Sequence, residues 1–183
     1  MQSQIALVTA RRKPSAGTDR QLALERLFRS EYARVVATAY RVLGDRHEAE
    51  DVAQETFLLF HERHPNDAGF VRWWLYRTAS NIALTRVRSR QRRERREVRQ
   101  HRAVPDPTLD PLELLEARER QRLVREALHR IDPKKARILC LRYSGLSYKE
   151  LEAALGLRLD QVGTLLRRAE AALEKELDRG ALS

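Results

Sequence analysis

Apolar side chains recur at three- and four-residue spacing along most of this chain, which is the pattern of helices with one buried face. The first such stretch runs from Leu24 to Leu43 and ends at Gly44. A second stretch starts at Asp45, which with Glu48 three residues later has the spacing of a capping box. Strand-like alternation of useful length does not appear in the sequence. The pattern therefore predicts an all-α fold.

A third apolar stretch begins near Phe70 and loses its periodicity after Ile82. Residues 64–67, with the sequence His-Pro-Asn-Asp, separate it from the second stretch, because such residues favour a chain break. Together the three stretches predict a small helical domain at residues 21–97. Residues 1–20 mix Ser, Gly, Pro and basic side chains without periodicity, which predicts a disordered tail.

Helical spacing returns in the second half of the chain, from Leu112 to about Arg130. Cap signals then mark the starts of three further helices; in chain order they are Asp132 with Pro133, Ser147 with Glu150, and Asp160. Gly145 and Gly156 interrupt the helical pattern between them. These signals predict a second helical domain at residues 112–183.

The charge of the chain is strongly positive and concentrated in its middle. In 183 residues, 36 Lys and Arg stand against 26 Asp and Glu, a formal net charge of +10 that indicates a polyanionic partner such as nucleic acid. Residues 86–102 hold nine arginines and two glutamates, and Pro105, Pro107 and Pro111 follow. Because proline cannot continue a helix, residues 98–111 are interpreted as a basic, proline-rich linker between two small helical domains.

Several classes of protein are disfavoured by the same sequence. The single cysteine, Cys140, excludes an internal disulfide and fits a reducing cytoplasm. No apolar run approaches the roughly 20 residues that span a bilayer, so membrane insertion is not expected. The chain has no phosphate-binding glycine loop and no motif of an activated nucleophile, and His61 and His64 lack partners at metal-ligand spacing. We expect no enzyme activity, no cofactor and no metal.

The segment from Ser147 to Leu173 has the plan of a helix-turn-helix, in which the second helix enters the major groove of duplex DNA. If the apolar positions of that helix face inward, helical geometry points the following side chains outward: Gln161, Thr164, Arg167 and Arg168. Gln161 and Thr164 suit base edges, whereas the arginines suit guanine or phosphate. An ordinary helical hairpin is the alternative interpretation.

The third helix indicates a different kind of nucleic-acid contact. Trp73, Arg77 and Asn81 are spaced to share one face, and Arg86 and Arg88 extend its basic character. An aromatic ring, cations and an amide in a row suit a single strand, whose bases present faces for stacking and whose backbone is anionic. The alternative is that Trp73 packs beside its neighbour as a half-buried residue.

Two groups of segments resemble the extracytoplasmic-function (ECF) sigma factors of the sigma-70 family of bacterial RNA polymerase. The N-terminal group resembles the second conserved region of that family, and comprises Asp51–Phe57 and Trp74–Ala83 followed by the basic run. The C-terminal group resembles the fourth region, and comprises Leu141–Tyr143, Gly145–Leu151 and Val162–Ala169. Both groups occur in the right order and at the right separation, over residues 24–96 and 113–178.

The resemblance implies that the chain is a sigma factor that binds core polymerase, recognises promoter DNA and promotes strand opening. Its polymerase contacts, with the beta-prime and beta subunits, would include a helix that docks on a beta-prime coiled coil through Asp51, Gln54, Glu55 and Phe57. The third helix would contact the non-template strand of the minus-ten element, with Asn81 and Arg86 in the matching segment and Arg77 nearby. The helix-turn-helix would read the duplex minus-thirty-five element, and an anti-sigma factor is a further implied partner.

Two other functions remain compatible with parts of the sequence. A helix-turn-helix regulator that does not join polymerase explains the second half of the chain but gives no role to the segment Asp51–Phe57. An RNA-binding adaptor that uses the arginine tract for nonspecific charge pairing explains the net charge but not the ordered helix-turn-helix. Co-purification with core polymerase distinguishes the sigma-factor interpretation from the first, and a steep salt dependence without sequence preference would favour the second.

Overall fold

The computed structural model describes residues 16–63, 71–94 and 111–181. The described residues form seven helices and no strand, which confirms the predicted all-α fold; the helices are α1 (Ala16–Leu43), α2 (Arg46–Arg63), α3 (Val71–Glu94), α4 (Pro111–Arg130), α5 (Pro133–Tyr143), α6 (Tyr148–Leu155) and α7 (Leu159–Ala181). Helix α1 begins at Ala16, so the last residues of the predicted tail are helical. The predicted chain break at 64–67, tail residues 1–15 and linker residues 98–110 lie outside the described residues.

The boundary between α1 and α2 follows local chemistry. Gly44 has a φ of +72°, a left-handed conformation that side chains with a Cβ rarely adopt, and its amide donates to the Tyr40 carbonyl. The Asp45 carboxylate accepts a hydrogen bond of 2.9 Å from the Glu48 amide, so Asp45 caps α2 as predicted. The Glu48 carboxylate binds Arg90 of α3, and so ties the start of α2 to the third helix.

The predicted caps in the second half form at α5 and α6. Asp132 accepts from the backbone amide of Lys134 at 2.8 Å, with Pro133 as the first helical residue. Ser147 and Glu150 make both bonds of a capping box at the start of α6. Each such cap is worth about 1 kcal/mol of helix stability. In each cap, the side chain and the backbone group that it bonds lie within three residues of each other.

Each of the three N-terminal helices buries one side against the other two helices. Helix α1 packs on both α2 and α3, and the side chains at the centre are Val35, Ala39, Val42, Val52, Phe60, Leu75, Tyr76 and Ala79. Tyr76 is fully buried, and its hydroxyl donates to Glu31 at 2.7 Å. In the C-terminal half, α5, α6 and α7 enclose Ile138, Leu139, Leu141, Leu146, Leu151, Val162 and Leu166.

The two halves of the chain pack against each other, an arrangement that the sequence did not predict. Helix α3 lies on α5 and α6, helix α1 lies on α4 and α5, and buried residues of both halves join one continuous cluster. The hydroxyl oxygens of Thr38 and Ser144 are 2.9 Å apart across this contact. His129 of α4 places its Nε2 atom 3.1 Å from the carbonyl oxygen of Val42. Among the described helices, none is both long and apolar enough to cross a membrane.

Candidate nucleic-acid interface

Helix α7 presents the charged residues predicted to read a duplex. It follows α6 after a turn at Gly156, which has a φ of +64°. Val162, Leu166 and Ala169 are buried, while Arg167 and Arg168 are exposed. The inward and outward sides of this helix are therefore those that the apolar spacing predicts.

The start of α7 differs from the predicted one. The helix begins at Leu159, so Asp160 is in its first turn rather than at its cap. The side chain of Gln161 accepts a hydrogen bond of 3.0 Å from the Arg158 backbone amide, which is the glutamine half of a capping box. The Thr164 hydroxyl donates to the Asp160 carbonyl at 3.2 Å. Two predicted base-reading side chains are thus engaged with the backbone of their own helix: Gln161 satisfies a free amide at the helix start, and Thr164 bonds back to a carbonyl one turn earlier.

The face of α3 predicted to hold a single strand is covered by the C-terminal half. Trp73, Arg77, Asn81 and Arg88 are all half-buried, and α3 packs here on α5 and α6. Arg72, one turn before Tyr76, donates to the Gly145 carbonyl at 3.2 Å and lies 3.6 Å from the Glu150 carboxylate. The side chains predicted to bind nucleic acid on this face therefore lie on the covered side of α3, and these contacts with the C-terminal half come from Arg72, which was not among them.

Polar groups on this covered face are poorly satisfied. Asn81 Oδ1 and Arg88 Nη2 are buried without a hydrogen-bond partner, and so is Nε of Arg137 on α5. Burial, followed by the positive charges of Arg77 and Arg88, lowers the pKa of Arg137. A buried polar atom without a partner costs about 1–3 kcal/mol. This contact brings like charges together and leaves acceptors and donors unused.

Arg137 is a functional candidate that sequence reasoning missed. Its position in α5 carries no local motif, and its relation to Arg77 and Arg88 depends on the packing of the two halves. Arg86, in contrast, was predicted to act with Arg88 but lies on the opposite side of α3, because two residues advance a helix by about 200°. It forms an ion pair of 2.7 Å with Glu55 of α2. The structure thus separates Arg86 from the other predicted strand contacts.

The outer face of α2 carries most of the predicted polymerase contacts. Asp51, Gln54 and Glu55 are exposed on it. Phe57 is only 6% exposed and packs 4.9 Å from the ring of Phe28, ring centre to ring centre. Phe57 is therefore a core residue that supports this face from below, since its position belongs to the apolar stripe of the helix.

Leu58 takes the place on this face that was expected for Phe57. Its side chain is 63% exposed, the largest value among the exposed large hydrophobic residues of the described chain. Helical spacing puts it beside Gln54 and Glu55, one turn further along. The signal that could have found it is an apolar residue out of phase with the buried stripe. An apolar centre with a polar border is the usual composition of a protein contact surface.

The contact between Arg72 and Glu150 is the clearest electrostatic link between the halves. Burial alone would raise the pKa of Glu150, but hydrogen bonds from the Ser147 amide and hydroxyl, together with the Arg72 charge, lower it. Arg72 itself is half-exposed and makes a cation–π contact with Tyr76 at 5.7 Å. Among the described residues, no group of His, Cys, Asp and Glu side chains has the arrangement of a metal site.

Comparisons with known proteins identify the N-terminal half. Residues 27–93 match the model of Sigma-70 region 2. The SigE ECF sigma factor of Mycolicibacterium smegmatis is 31% identical over 156 residues, and SigG of Mycobacterium tuberculosis is 34% identical over 166 residues. These alignments cover 84% and 76% of the chain, which spans only 61% of the length of SigE and 45% of that of SigG.

Solved structures agree on the fold. Sigma factor RpoE of Bartonella quintana, in complex with the anti-sigma factor NepR, matches with a TM-score of 0.59 at 18% identity, over 85% of this chain and 97% of that one. CnrH, in complex with the cytosolic domain of CnrY, matches with a TM-score of 0.57 at 23% identity, over 87% of this chain and 90% of that one.

A relative of similar length establishes the family. The ECF sigma factor SigK of Mycobacterium bovis is 32% identical over 168 residues, and the alignment covers 89% of both chains. The match thus includes both halves rather than region 2 alone, as the order of the two groups of segments predicted. The chain belongs to the ECF family of RNA polymerase sigma factors.

Proposed function

We propose that this chain is a sigma subunit that binds core RNA polymerase, directs it to promoter DNA and promotes strand opening, and that it acts in the cytoplasm by binding rather than by catalysis. Family membership favours this function over a regulator that does not join polymerase and over an RNA-binding adaptor. The observation that carries the proposal is the separation of an exposed acidic and apolar face on α2 from cationic faces on α3 and α7.

The outer face of α2 is proposed to dock on polymerase. Asp51, Gln54 and Glu55 surround the exposed Leu58, so a partner with basic and apolar side chains would be complementary to it. Phe57 and Phe28 stiffen the face from below through ring contact. The beta-prime subunit is the proposed partner of this face, and the beta subunit that of the C-terminal half.

The covered face of α3 is proposed to hold the opened non-template strand of the minus-ten element. Asn81 and Arg88 have buried polar atoms that lack partners while the halves are packed, and a base edge and a phosphate would satisfy them. Trp73 and Arg77 lie on the same side, and Arg86 supports α3 through its ion pair with Glu55. Binding of a strand here requires α5 to move away. Because only the opened strand fits, its binding shifts the promoter toward the open state.

Helix α7 is proposed to read the duplex minus-thirty-five element. Arg167 and Arg168 are exposed and unobstructed by the rest of the C-terminal half. Gln161 and Thr164 would contact base edges only after exchanging their present bonds to Arg158 and Asp160, so we assign more of the binding energy to the arginines.

The domain organisation is part of the proposal. Residues 21–97 would form region 2, residues 98–111 the linker and residues 112–183 region 4, following an N-terminal tail. An anti-sigma factor is a proposed partner, since the similar sigma factor RpoE was solved in complex with the anti-sigma factor NepR. A regulator that favours the packed arrangement would keep the α3 face covered.

Run-off transcription with core polymerase and a promoter library tests the division of labour. We expect Asn81→Ala to lose strand opening while it retains duplex binding, and Arg167→Ala to lose duplex binding while it retains opening on a pre-melted template. Arg179→Ala removes the same charge from the far end of α7, where Arg179 pairs with Glu176, and should behave as the unchanged chain. Equal effects of the first two variants on both steps, or failure of the purified chain to bind core polymerase, would contradict the proposal.

A further inference from the structure

A cavity of about 480 Å³ lies where helices α1, α4, α5 and α7 meet. Its walls therefore come from both halves of the chain. Leu128, Leu139 and Cys140 line it and are buried, which gives it an apolar floor. The volume is within the range of about 300–1,000 Å³ found for small-molecule sites.

The rim of the cavity holds exposed apolar side chains. Tyr40, Val124 and Tyr143 all line it, and all three are among the exposed large hydrophobic residues, with Tyr143 at 62%. Single exposed apolar residues need no explanation, but a group around a concave opening indicates a surface that a ligand covers. None of these residues has a role in the nucleic-acid or polymerase faces described above.

The charge of the lining has one sign. Arg41, Arg120 and Arg125 line the cavity, and none of the described lining residues is acidic. Arg41 lies 3.3 Å from the Ser144 hydroxyl, so the cationic edge is next to the contact between the halves. Arg125 is partly buried, with its guanidinium over Gly44, and burial lowers its pKa. The charge of Glu126 opposes this shift only in part, and a partly buried cation is stabilised further by a bound anion.

We propose that this cavity binds a small amphipathic anion, with an apolar body against Leu128 and Leu139 and a carboxylate-type head at the arginine edge. A medium-chain acyl carboxylate has this chemistry. An acidic protein helix is a poorer fit, because the floor is buried and the volume admits one small molecule. Since both halves form the walls, the bound ligand would stabilise the packed arrangement. If the proposed sigma function holds, it would also disfavour strand capture by α3.

Cys140 supplies a specific reporter for this site. It is the only cysteine of the chain, it lines the cavity, and its side chain is 3% exposed. Burial raises the pKa of its thiol to about 12, so an aromatic disulfide reagent modifies it chiefly after the site opens. A ligand that binds only the closed site should slow modification by the factor 1 + [L]/Kd, which is about elevenfold at ten times Kd.

The experiment uses the full chain with decanoate below its micelle-forming concentration. We expect decanoate to slow modification of Cys140 saturably and to raise the melting temperature. Decanol, which lacks the charge, should protect at least severalfold more weakly, and acetate, which lacks the apolar body, should not protect. Absence of saturable protection by decanoate, or equal protection by decanoate and decanol, would overturn the proposal.

Variants separate occupation of the cavity from general stabilisation. Val124→Trp fills the cavity from its exposed rim and should abolish protection by decanoate, whereas Leu159→Trp, at an exposed leucine of α7 away from the cavity, should retain it. Arg41→Gln should weaken decanoate severalfold and leave decanol unchanged. Retained protection in Val124→Trp would refute the site. These readouts do not involve polymerase, so their failure and that of the proposed function are distinguishable.

Discussion

The outer face of α2 and the inner face of α3 belong to the same three-helix unit but differ in accessibility. On α2, Asp51, Gln54 and Leu58 are exposed in the packed chain. On α3, Asn81 and Arg88 are half-buried under α5, with polar atoms that lack partners. The outer face of α2 is accessible to a partner in the packed chain, whereas the inner face of α3 must first be uncovered.

This difference suggests an order of events for the proposed function. Polymerase binding through α2 needs no rearrangement of the two halves, whereas capture of a strand by α3 does. The positive charges of Arg77 and Arg88 oppose that of Arg137 and buried polar atoms remain unpaired, and both effects lower the free energy needed to uncover α3. A partner that binds the separated halves better than the packed ones shifts the population accordingly.

The largest expected effect comes from Arg88→Glu. The new carboxylate would repel a phosphate and attract Arg137 in the packed state, so both changes oppose strand capture. We expect promoter opening to fall on the order of 100-fold, as two tenfold effects of about 1.4 kcal/mol each. Run-off transcription measures this loss, and a thermal melt should show a higher melting temperature. Arg29→Glu, on the exposed surface of α1, is the control. Normal opening by Arg88→Glu would refute the role of this face.

Leu58→Ala should have the next largest effect. Loss of an apolar side chain from the centre of a protein contact costs about 1–2 kcal/mol, so affinity for core polymerase should fall about tenfold. Titration of labelled chain with core polymerase measures this. Leu22→Ala removes the same side chain from an exposed position on α1 and should bind normally. Equal weakening by both variants would mean that the outer face of α2 is not the docking surface.

Arg72→Ala tests the covered face of α3 by loosening the contact between the two halves. It removes the bonds to the Gly145 carbonyl and to Glu150 that hold the halves together. The free chain should then bind a minus-ten single strand severalfold more tightly, and Cys140 should be modified severalfold faster, while affinity for polymerase stays the same. Arg29→Ala breaks an ion pair within α1 and should change neither quantity. Unchanged strand binding by Arg72→Ala would show that packing does not mask α3.

The smallest expected effect is a pH dependence from His129, which faces Val42 across the two halves. Burial lowers the pKa of His129, so the folded chain resists its protonation. The stability it contributes is present above its ordinary pKa of 6.5 and is lost as the pH falls below that value. The melting temperature should decline between pH 7 and 5.5, and less so in His129→Gln. His47→Gln, at an exposed position of α2, should keep the full decline.

Local features were predictable because their causes are local. The caps at Asp45, Asp132 and Ser147 each join groups within three residues, and the structure has all three. The exposed arginines of α7 follow from helical spacing in the same way. At the start of α7 the prediction that Asp160 caps the helix was wrong. The helix begins one residue earlier, at Leu159, and the Gln161 side chain bonds to the free amide of Arg158.

Features that depend on contacts between distant segments were not predictable. The apolar stripe of α2 already indicated that Phe57 is buried and Leu58 exposed, but only the structure shows that the ring of Phe28 from α1 packs on Phe57. Helical phase already separates Arg86 from Arg88, but only the packing of α2 on α3 shows that Glu55 is the partner of Arg86. Arg137 has no motif at all and gains its significance only from the helix packed against it.

The sequence by itself determined that this chain is helical, where most of its helices begin and end, and to which family it belongs. Hydrophobic periodicity and capping chemistry act over a few residues, and the order of the motifs is visible in the sequence without any knowledge of the packing. The tertiary structure alone decided which predicted residues are accessible, because accessibility depends on what the opposite half of the chain places over them. The masking of α3 and the arginine-edged cavity both arise from contacts that no local pattern specifies.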